Sequence, residues 1–405
     1  MPDRFCIPRL IISGEGALGE SGAEFRGMGA KALIVSDATM RKLGNTDRLA
    51  AVMDGQGVKY SLFCEVNSEP TDAIVLQGAR QYIGECCDFL VAIGGGSPID
   101  AMKAIGIVAA HGGVPRDYMG KTVGGGLPPM AAIPTTAGTG SEATQFTIIA
   151  DTGSGVKMLL KGPGLMPSLA VADPAFTATA PPAVTANTGL DALCHAMEAF
   201  LSKKAQPLSD TFAVSAARRI LSNLRGACEE PGNMERRGQM ALAATEAGIA
   251  FSNSSVTLVH GMSRPIGALF HVPHGLSNAV LMEACFRLVR ERAEARFADL
   301  ARACGMGGGG SGGGPGGGSG GGSDGNSGGG NSDAADRLLS AVSGLLRALK
   351  VPSLKEYGID RAAFLEQIPK MTEDALMSGS PANTPCAVSS GDIARLYEDL
   401  WQNLN

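Results

Sequence analysis

The chain has 405 residues, enough for two domains sharing a cleft, and its 44% hydrophobic and 18% charged residues suit a packed globular protein rather than a disordered one. A net charge of -5 without any Lys/Arg block argues against nucleic acid or an anionic membrane surface as partner. Nine Cys, an odd number that includes the adjacent Cys86 and Cys87, form no C-x-x-C pair, so reduced cytosolic thiols are a simpler reading than a disulfide framework or a zinc knuckle.

The N-terminus, MPDRFCIPRLIISGEG, lacks the basic start, unbroken apolar core and small-residue cleavage site of a secretory signal. No apolar run approaches the roughly 20 residues that span a bilayer. These features predict a cytoplasmic protein.

In chain order, KALIVSD (31–37), KYSLFCEV (59–66), DFLVAI (88–93) and MAAIP (130–134) are short apolar runs that predict buried strands. Between them DRLAAVMDGQG (47–57), TDAIVLQGARQYIGEC (71–86) and PIDAMKAIGIVAAHGG (98–113) have helical spacing. Strand–helix–strand alternation implies right-handed crossovers and a parallel sheet covered on both faces, with ligands beyond the carboxyl ends of the strands. After about residue 181 the strand signals fade. Segments 183–202, 209–226, 235–253, 281–304 and 333–349 all predict helices. The expected organisation is an α/β domain over 1–180 and an all-helical domain over 181–405, divided near Pro181-Pro182. Residues 305–332, mostly Gly and Ser, belong to neither and predict a flexible, dispensable surface insertion, since loop closure costs little more as a loop lengthens.

IGGGSPIDAMKA places Gly94, Gly95, Gly96 and Ser97 between a strand and a helix. Such a turn lets the backbone approach a phosphate and offers it the orphan N–H groups of the helix start. A glycine turn alone is also a plain tight connection. A second loop, PTTAGTGSEAT (134–144), follows another strand and presents Thr135, Thr136, Thr139 and Ser141 hydroxyls, and two such loops together point to a dinucleotide. Asp37, at the end of KALIVSD, can accept hydrogen bonds from ribose hydroxyls and repel a 2′-phosphate, which favours NAD over NADP. It can equally cap the following helix.

The chain has five histidines: His111, His195, His260, His271 and His274. Asp191 and His195 are four apart and share a helix face, a spacing from which a carboxylate and an imidazole can bind one metal. His260, His271 and His274 fall together in VHGMSRPIGALFHVPHG. A single buried His is usually a hydrogen-bonded core residue, but such a concentration is harder to explain that way.

At these residues the sequence resembles the iron-containing (group III) alcohol dehydrogenases. GGGSPIDAMKA, PTTAGTGSEAT, DALCH and VHGMSRPIGALFHVPHG match that family's motifs in order, and the resemblance runs from FCIPRLIISGEGAL to IARLYEDLW, leaving out only the Gly-rich insertion. It implies a Rossmann-like, dehydroquinate synthase-like architecture, a homo-oligomer such as a dimer, and an NAD-dependent oxidoreductase acting on a small alcohol or aldehyde. It implies Asp191, His195, His260 and His274 as ligands of a divalent metal, iron(II) in most of the family and zinc in some, that polarises the substrate oxygen. It implies NAD contacts from Asp37, Gly94, Gly95, Gly96, Ser97, Asp100, Thr135, Thr136 and Thr139, with Ser141 in the same loop. Lys157 stands where the family often has a cofactor-facing Lys, though a solvated Lys reads nearly as well, and Lys103 reads as structural.

Two departures stand out. Many members carry a proton-relay His four residues after the third ligand; here it is Arg264, which stays protonated and cannot act as a base. His271 or water then takes that part. Arg264 could instead pair with an anionic aldehyde such as a semialdehyde or sulfoacetaldehyde, or turn aside to a neighbouring group. The family's N-P element reads Glu69-Pro70. Rival readings are a zinc-dependent glycerol dehydrogenase, a metal-free maleylacetate reductase, from which the intact ligand set departs, and a dead homologue, which would have lost ligands.

Overall fold

A computed structural model describes residues 3–307 and 328–402. Two compact units account for it, Met1–Ala196 with Gln206–Ser254 and Met197–Ala205 with Ser255–Asn405. The first holds the strands β1 (Leu10–Ser13), β2 (Lys31–Val35), β3 (Lys59–Phe63), β4 (Phe89–Gly94), β5 (Met130–Pro134), β6 (Phe146–Ala150), β7 (Lys157–Lys161) and β8 (Leu169–Ala172). Six of them pair in parallel in the order β1-β8-β5-β4-β2-β3, and β6 and β7 form an antiparallel pair apart from the sheet.

Both faces of the sheet are covered, which is why its central strands are continuous apolar runs. Leu33, Val35, Leu90 and Ala92 pack with Val75 and Ala79 of the helix Asp72–Gly84 and with Met102 and Ile105 of the helix Gly96–His111. The alternate residues Ala32, Ile34, Val91 and Ile93 pack with Phe25, Leu49 and Met53 on the other side. The four expected strands are β2 to β5. Four more were not expected: β1 and β8 are only four residues long, and β6 and β7 alternate in burial instead of running apolar.

Among the described residues strand structure ends at Ala172, and the long elements that follow are helices. The compact units do not divide at Pro181-Pro182, however. The helices Pro207–Glu229 and Met234–Ser254 belong to the first unit with the sheet. There the Thr245 hydroxyl donates to Glu142 (2.7 Å), and the Arg237 guanidinium donates to the Thr177 carbonyl (2.9 Å) and the Thr185 hydroxyl (2.9 Å). In the second unit the single helix expected over 281–304 is two, His274–Arg292 and Glu294–Ala303, parted at Ala293, whose φ of -139° and ψ of 44° are not helical. Most of the Gly-rich insertion lies outside the described residues. Its end does not: the helix Gly328–Ala348 begins inside it, and Asn331 accepts from Arg302 (2.6 Å) and Ser332 from Arg290 (2.7 Å).

The packing of Met234–Ser254 sets up a test. A Cβ on Gly248 would lie 2.5 Å from the Gly140 carbonyl oxygen, backbone that cannot swing away, whereas a Cβ on Gly344 meets nothing within 4 Å. Alanine normally stabilises a helix interior over glycine by about 1 kcal/mol. Gly344→Ala is therefore expected to raise the melting temperature. Gly248→Ala should lower it, through the about 1–3 kcal/mol of stability that an overpacked contact costs. Thermal unfolding of the two variants beside the parent checks both signs.

Candidate functional site

β4 ends at Gly94 and the helix Gly96–His111 starts two residues on, with Gly95 as its N-cap. A Cβ on Gly94 would lie 2.6 Å from Pro98 Cγ and one on Gly96 would lie 2.9 Å from Thr139 Cγ2, while one on Gly95 would meet nothing nearer than Thr136 Oγ1 at 3.7 Å. Internal packing thus demands the first and third glycines. The second leaves backbone open to approach. Gly94 is in register with Pro134 of β5, and the Thr135 N–H donates to the Gly94 carbonyl (2.9 Å). The loop 135–141 begins there, with Thr135 and Ser141 buried, Thr136 and Thr139 half-buried, and Thr139 Oγ1 accepting from the Ser141 N–H (3.3 Å).

Asp37 follows β2, the other neighbour of β4. One carboxylate oxygen caps the helix Ala38–Lys42 by accepting from the Met40 N–H (2.9 Å). The other faces the glycine turn, 3.3 Å from where a Gly94 Cβ would stand. Both roles open to this residue from sequence are therefore compatible. Asp37, the Gly94–Ser97 turn and the 135–139 threonines come together at the carboxyl ends of three adjacent parallel strands.

Behind the turn lies buried charge. Lys103 is fully buried and donates to the Thr144 carbonyl (2.8 Å), the Thr144 hydroxyl (2.9 Å) and the Phe146 carbonyl (2.9 Å). Burial pulls its pKa down to about 8 against the opposing fields of Asp100 and Glu142. Burial likewise pushes Asp100 up to about 6, opposed by Lys103, and raises Glu142. The Asp100 carboxylate accepts from the Ile148 N–H (3.0 Å), so it ties the helix to β6.

The metal-type residues fall in two groups. In the first unit Asp191 and His195 are buried on the helix Pro182–Leu201, with Asp191 Oδ1 3.9 Å from His195 Nε2 and the His195 ring stacked on Phe251 at 4.2 Å. In the second unit the rings of His260 and His274 lie 5.3 Å apart, and both Nε2 atoms face the buried Asn278 amide nitrogen, at 3.2 and 3.4 Å. An Nε2 that accepts there is unprotonated, the tautomer whose lone pair can bind a metal. His260 Nδ1 lies 2.5 Å from the fully buried Glu198 carboxylate. Burial alone would raise the Glu198 pKa, but His260, Thr257 and the Val259 N–H hold it below the ordinary value.

Two family descriptions span the chain, iron-containing alcohol dehydrogenase over residues 8–174 and the C-terminal part of the Fe-containing alcohol dehydrogenases over 185–401. The 1,3-propanediol dehydrogenase of Klebsiella pneumoniae is 33% identical over 402 residues, 98% of each chain. The chain belongs to the iron-containing alcohol dehydrogenases. It is thus an oxidoreductase that interconverts alcohols and aldehydes. The NAD-dependent methanol dehydrogenase of Bacillus methanolicus is 39% identical over 305 residues, covering 74% of this chain and 80% of that one. A crystal structure of a 1,3-propanediol oxidoreductase superimposes with a TM-score of 0.89 at 32% identity, covering 99% of this chain and 100% of that one.

Against the family pattern, Arg264 is half-buried and donates to the Ser380 hydroxyl (3.1 Å). Burial lowers its pKa and the field of Glu198 opposes that shift. His271 is exposed and ends the helix Leu258–Phe270 in the left-handed conformation, φ 54°, which His adopts more readily than most residues. Lys157, at the start of β7, pairs across 2.9 Å at the surface with Glu69 of the departing Glu69-Pro70 element. Glu198 and Asn278 were not singled out from sequence. Each has a local signal, three residues after His195 and four after His274, on the same helix face as the candidate ligand.

Replacing Lys103 tests the buried charge. Lys103→Met keeps the length of the side chain but strips the Thr144 and Phe146 carbonyls of their donor, which costs about 1–3 kcal/mol for each group left unsatisfied. A lower urea midpoint is expected, and an unchanged midpoint would refute the anchoring role.

Proposed function

We propose that the chain uses NAD, and that Asp191, His195, His260 and His274 together hold one divalent metal, iron(II), beside the substrate. The observation that carries the metal reading is the pair His260 and His274, whose Nε2 atoms both face the Asn278 amide nitrogen, at 3.2 and 3.4 Å. Each of the four residues offers one ligand atom, and a carboxylate with three imidazoles suits iron(II) or zinc. The family description favours iron. When bound, such a metal supplies a Lewis acid for the substrate oxygen.

The chain's own residues do the rest. The N–H groups that open the helix Gly96–His111 and the hydroxyls of Thr136 and Thr139 bind the pyrophosphate, and the free face of Asp37 takes the adenosine ribose. Arg264 donates to Ser380 and, staying protonated, is no base, so the alcohol proton leaves through water or His271. Small substrates are supported by the short diol and alcohol in the names of the relatives.

Following NADH oxidation with a panel of short aldehydes, in chelated protein and after adding back iron(II) or zinc, tests the reading. Chelation should abolish turnover, and iron(II) should restore it best. His260→Ala should lose turnover and bound metal while NAD affinity stays within about twofold, because no NAD contact is assigned to His260. Activity in protein shown by elemental analysis to be metal-free would refute the metal site.

Cofactor choice is tested at Asp37. Asp37→Gly removes the charge that repels a 2′-phosphate, so kcat/KM with NADPH should rise at least tenfold relative to NADH, the scale of about 1.4 kcal/mol. Equal use of NADPH and NADH by the parent protein would overturn the assignment.

A further inference from the structure

We propose that Glu198 is the positioning residue that fixes the tautomer and orientation of His260, a role that rests on the metal reading above. Its carboxylate is wholly buried, and four donors converge on it. One oxygen accepts from the Thr257 hydroxyl (2.6 Å) and the Val259 N–H (2.7 Å); the other lies 2.5 Å from His260 Nδ1 and 3.4 Å from the His260 N–H. An ionised carboxylate can only accept, so the ring nitrogen facing it carries the hydrogen. Nε2 is then left with its lone pair, and it faces the donating Asn278 amide at 3.2 Å. The two ends of the ring agree on one tautomer.

The same side chain fixes where the ring stands. Val259 and His260 supply first-turn N–H groups of the helix Leu258–Phe270, which have no partner within the helix. The N-cap residue, Thr257, makes no side-chain cap bond to them, and its hydroxyl donates to Glu198. Glu198, some sixty residues away in sequence, therefore anchors the helix start and the ring together. A carboxylate behind a metal-binding imidazole sets its tautomer and raises its basicity, and losing it typically weakens metal binding 10–100-fold.

A plain helix cap would also explain the two amide contacts, and Glu198→Gln separates the readings. The glutamine carbonyl can still accept from Thr257 and Val259, but its amide presents a donor to His260 Nδ1. The ring must then turn its hydrogen to Nε2, where a ligand needs a lone pair. We expect the dissociation constant for zinc or cobalt(II), measured by chelator competition, to rise 10–100-fold. The nitrogen shifts of His260 in metal-free, 15N-histidine-labelled protein should move from the Nδ1–H to the Nε2–H pattern. Thr257→Val, which removes a bond to the same carboxylate, should lower stability and leave metal affinity and tautomer unchanged.

Parent-like metal affinity in Glu198→Gln, or a metal-free parent protein with its His260 hydrogen on Nε2, overturns the proposal. The second measurement needs no variant to fold. A parent protein that binds no divalent metal although His260 holds its hydrogen on Nδ1 overturns the metal reading itself, and is distinguishable from either result.

Discussion

The parallel pairing of β4 with β5 is the constraint on which the glycine turn and the threonine loop depend. Gly94 stands opposite Pro134, and the Thr135 N–H closes the last rung of the ladder on the Gly94 carbonyl (2.9 Å). Because the two strands end level, both loops leave the sheet side by side and shape each other. Thr139 from the second loop forbids a side chain on Gly96 of the first, and Pro98, with Asp37 beyond the end of β2, confines Gly94. Gly94 and Gly96 are thus demanded by their neighbours before any ligand is present. Slipping this register by one residue would put inward-facing side chains on the wrong face and part the loops.

Behind that rim the sequence spends ionisable groups on architecture. Lys103 lies on the helix that starts at the glycine turn, and its three acceptors lie at the end of the second loop and the start of β6. A buried ammonium carries a heavy desolvation cost unless each of its donors is satisfied. Here all three are. Asp100 acts in parallel through the Ile148 N–H. Helix, loop and β6 are therefore bound as one piece, and a piece held that way is suited to orienting a cofactor without paying for its order at each turnover.

Much of this was legible in the sequence, and what was not has identifiable causes. The runs DFLVAI and MAAIP announced β4 and β5 because strands covered on both faces carry no polar interruption. β7 escaped notice because KMLLK alternates, with Lys157 and Lys161 in the open, and resembles a loop carrying charge. The helix Leu258–Phe270 was hidden by Gly261, Pro265 and Gly267, and more fundamentally because its cap comes from Glu198. No local pattern can show a cap supplied from so far along the chain. The Pro181-Pro182 break marks where strands stop, but compactness follows packing: Gly140 seated on Gly248 draws Met234–Ser254 to the sheet.

The histidine motifs were legible for a different reason, which is the periodicity of one helix. Asp191, His195 and Glu198 stand at i, i+4 and i+7 of Pro182–Leu201, one stripe along a single face. Sequence drew attention to the first two because carboxylate and imidazole together suggest metal chemistry, while Glu198, alone among apolar neighbours, reads as an ordinary helix acid. The structure gives it a different weight. A wholly buried carboxylate is tolerated only where donors meet it, and those it has come from His260 and the turn that presents it. The distance in sequence between DALCH and VHG is therefore bridged by hydrogen bonds from that same helix face, so an insertion of one residue between His195 and Glu198 would rotate the carboxylate by about 100° from His260 while leaving both motifs intact to the eye.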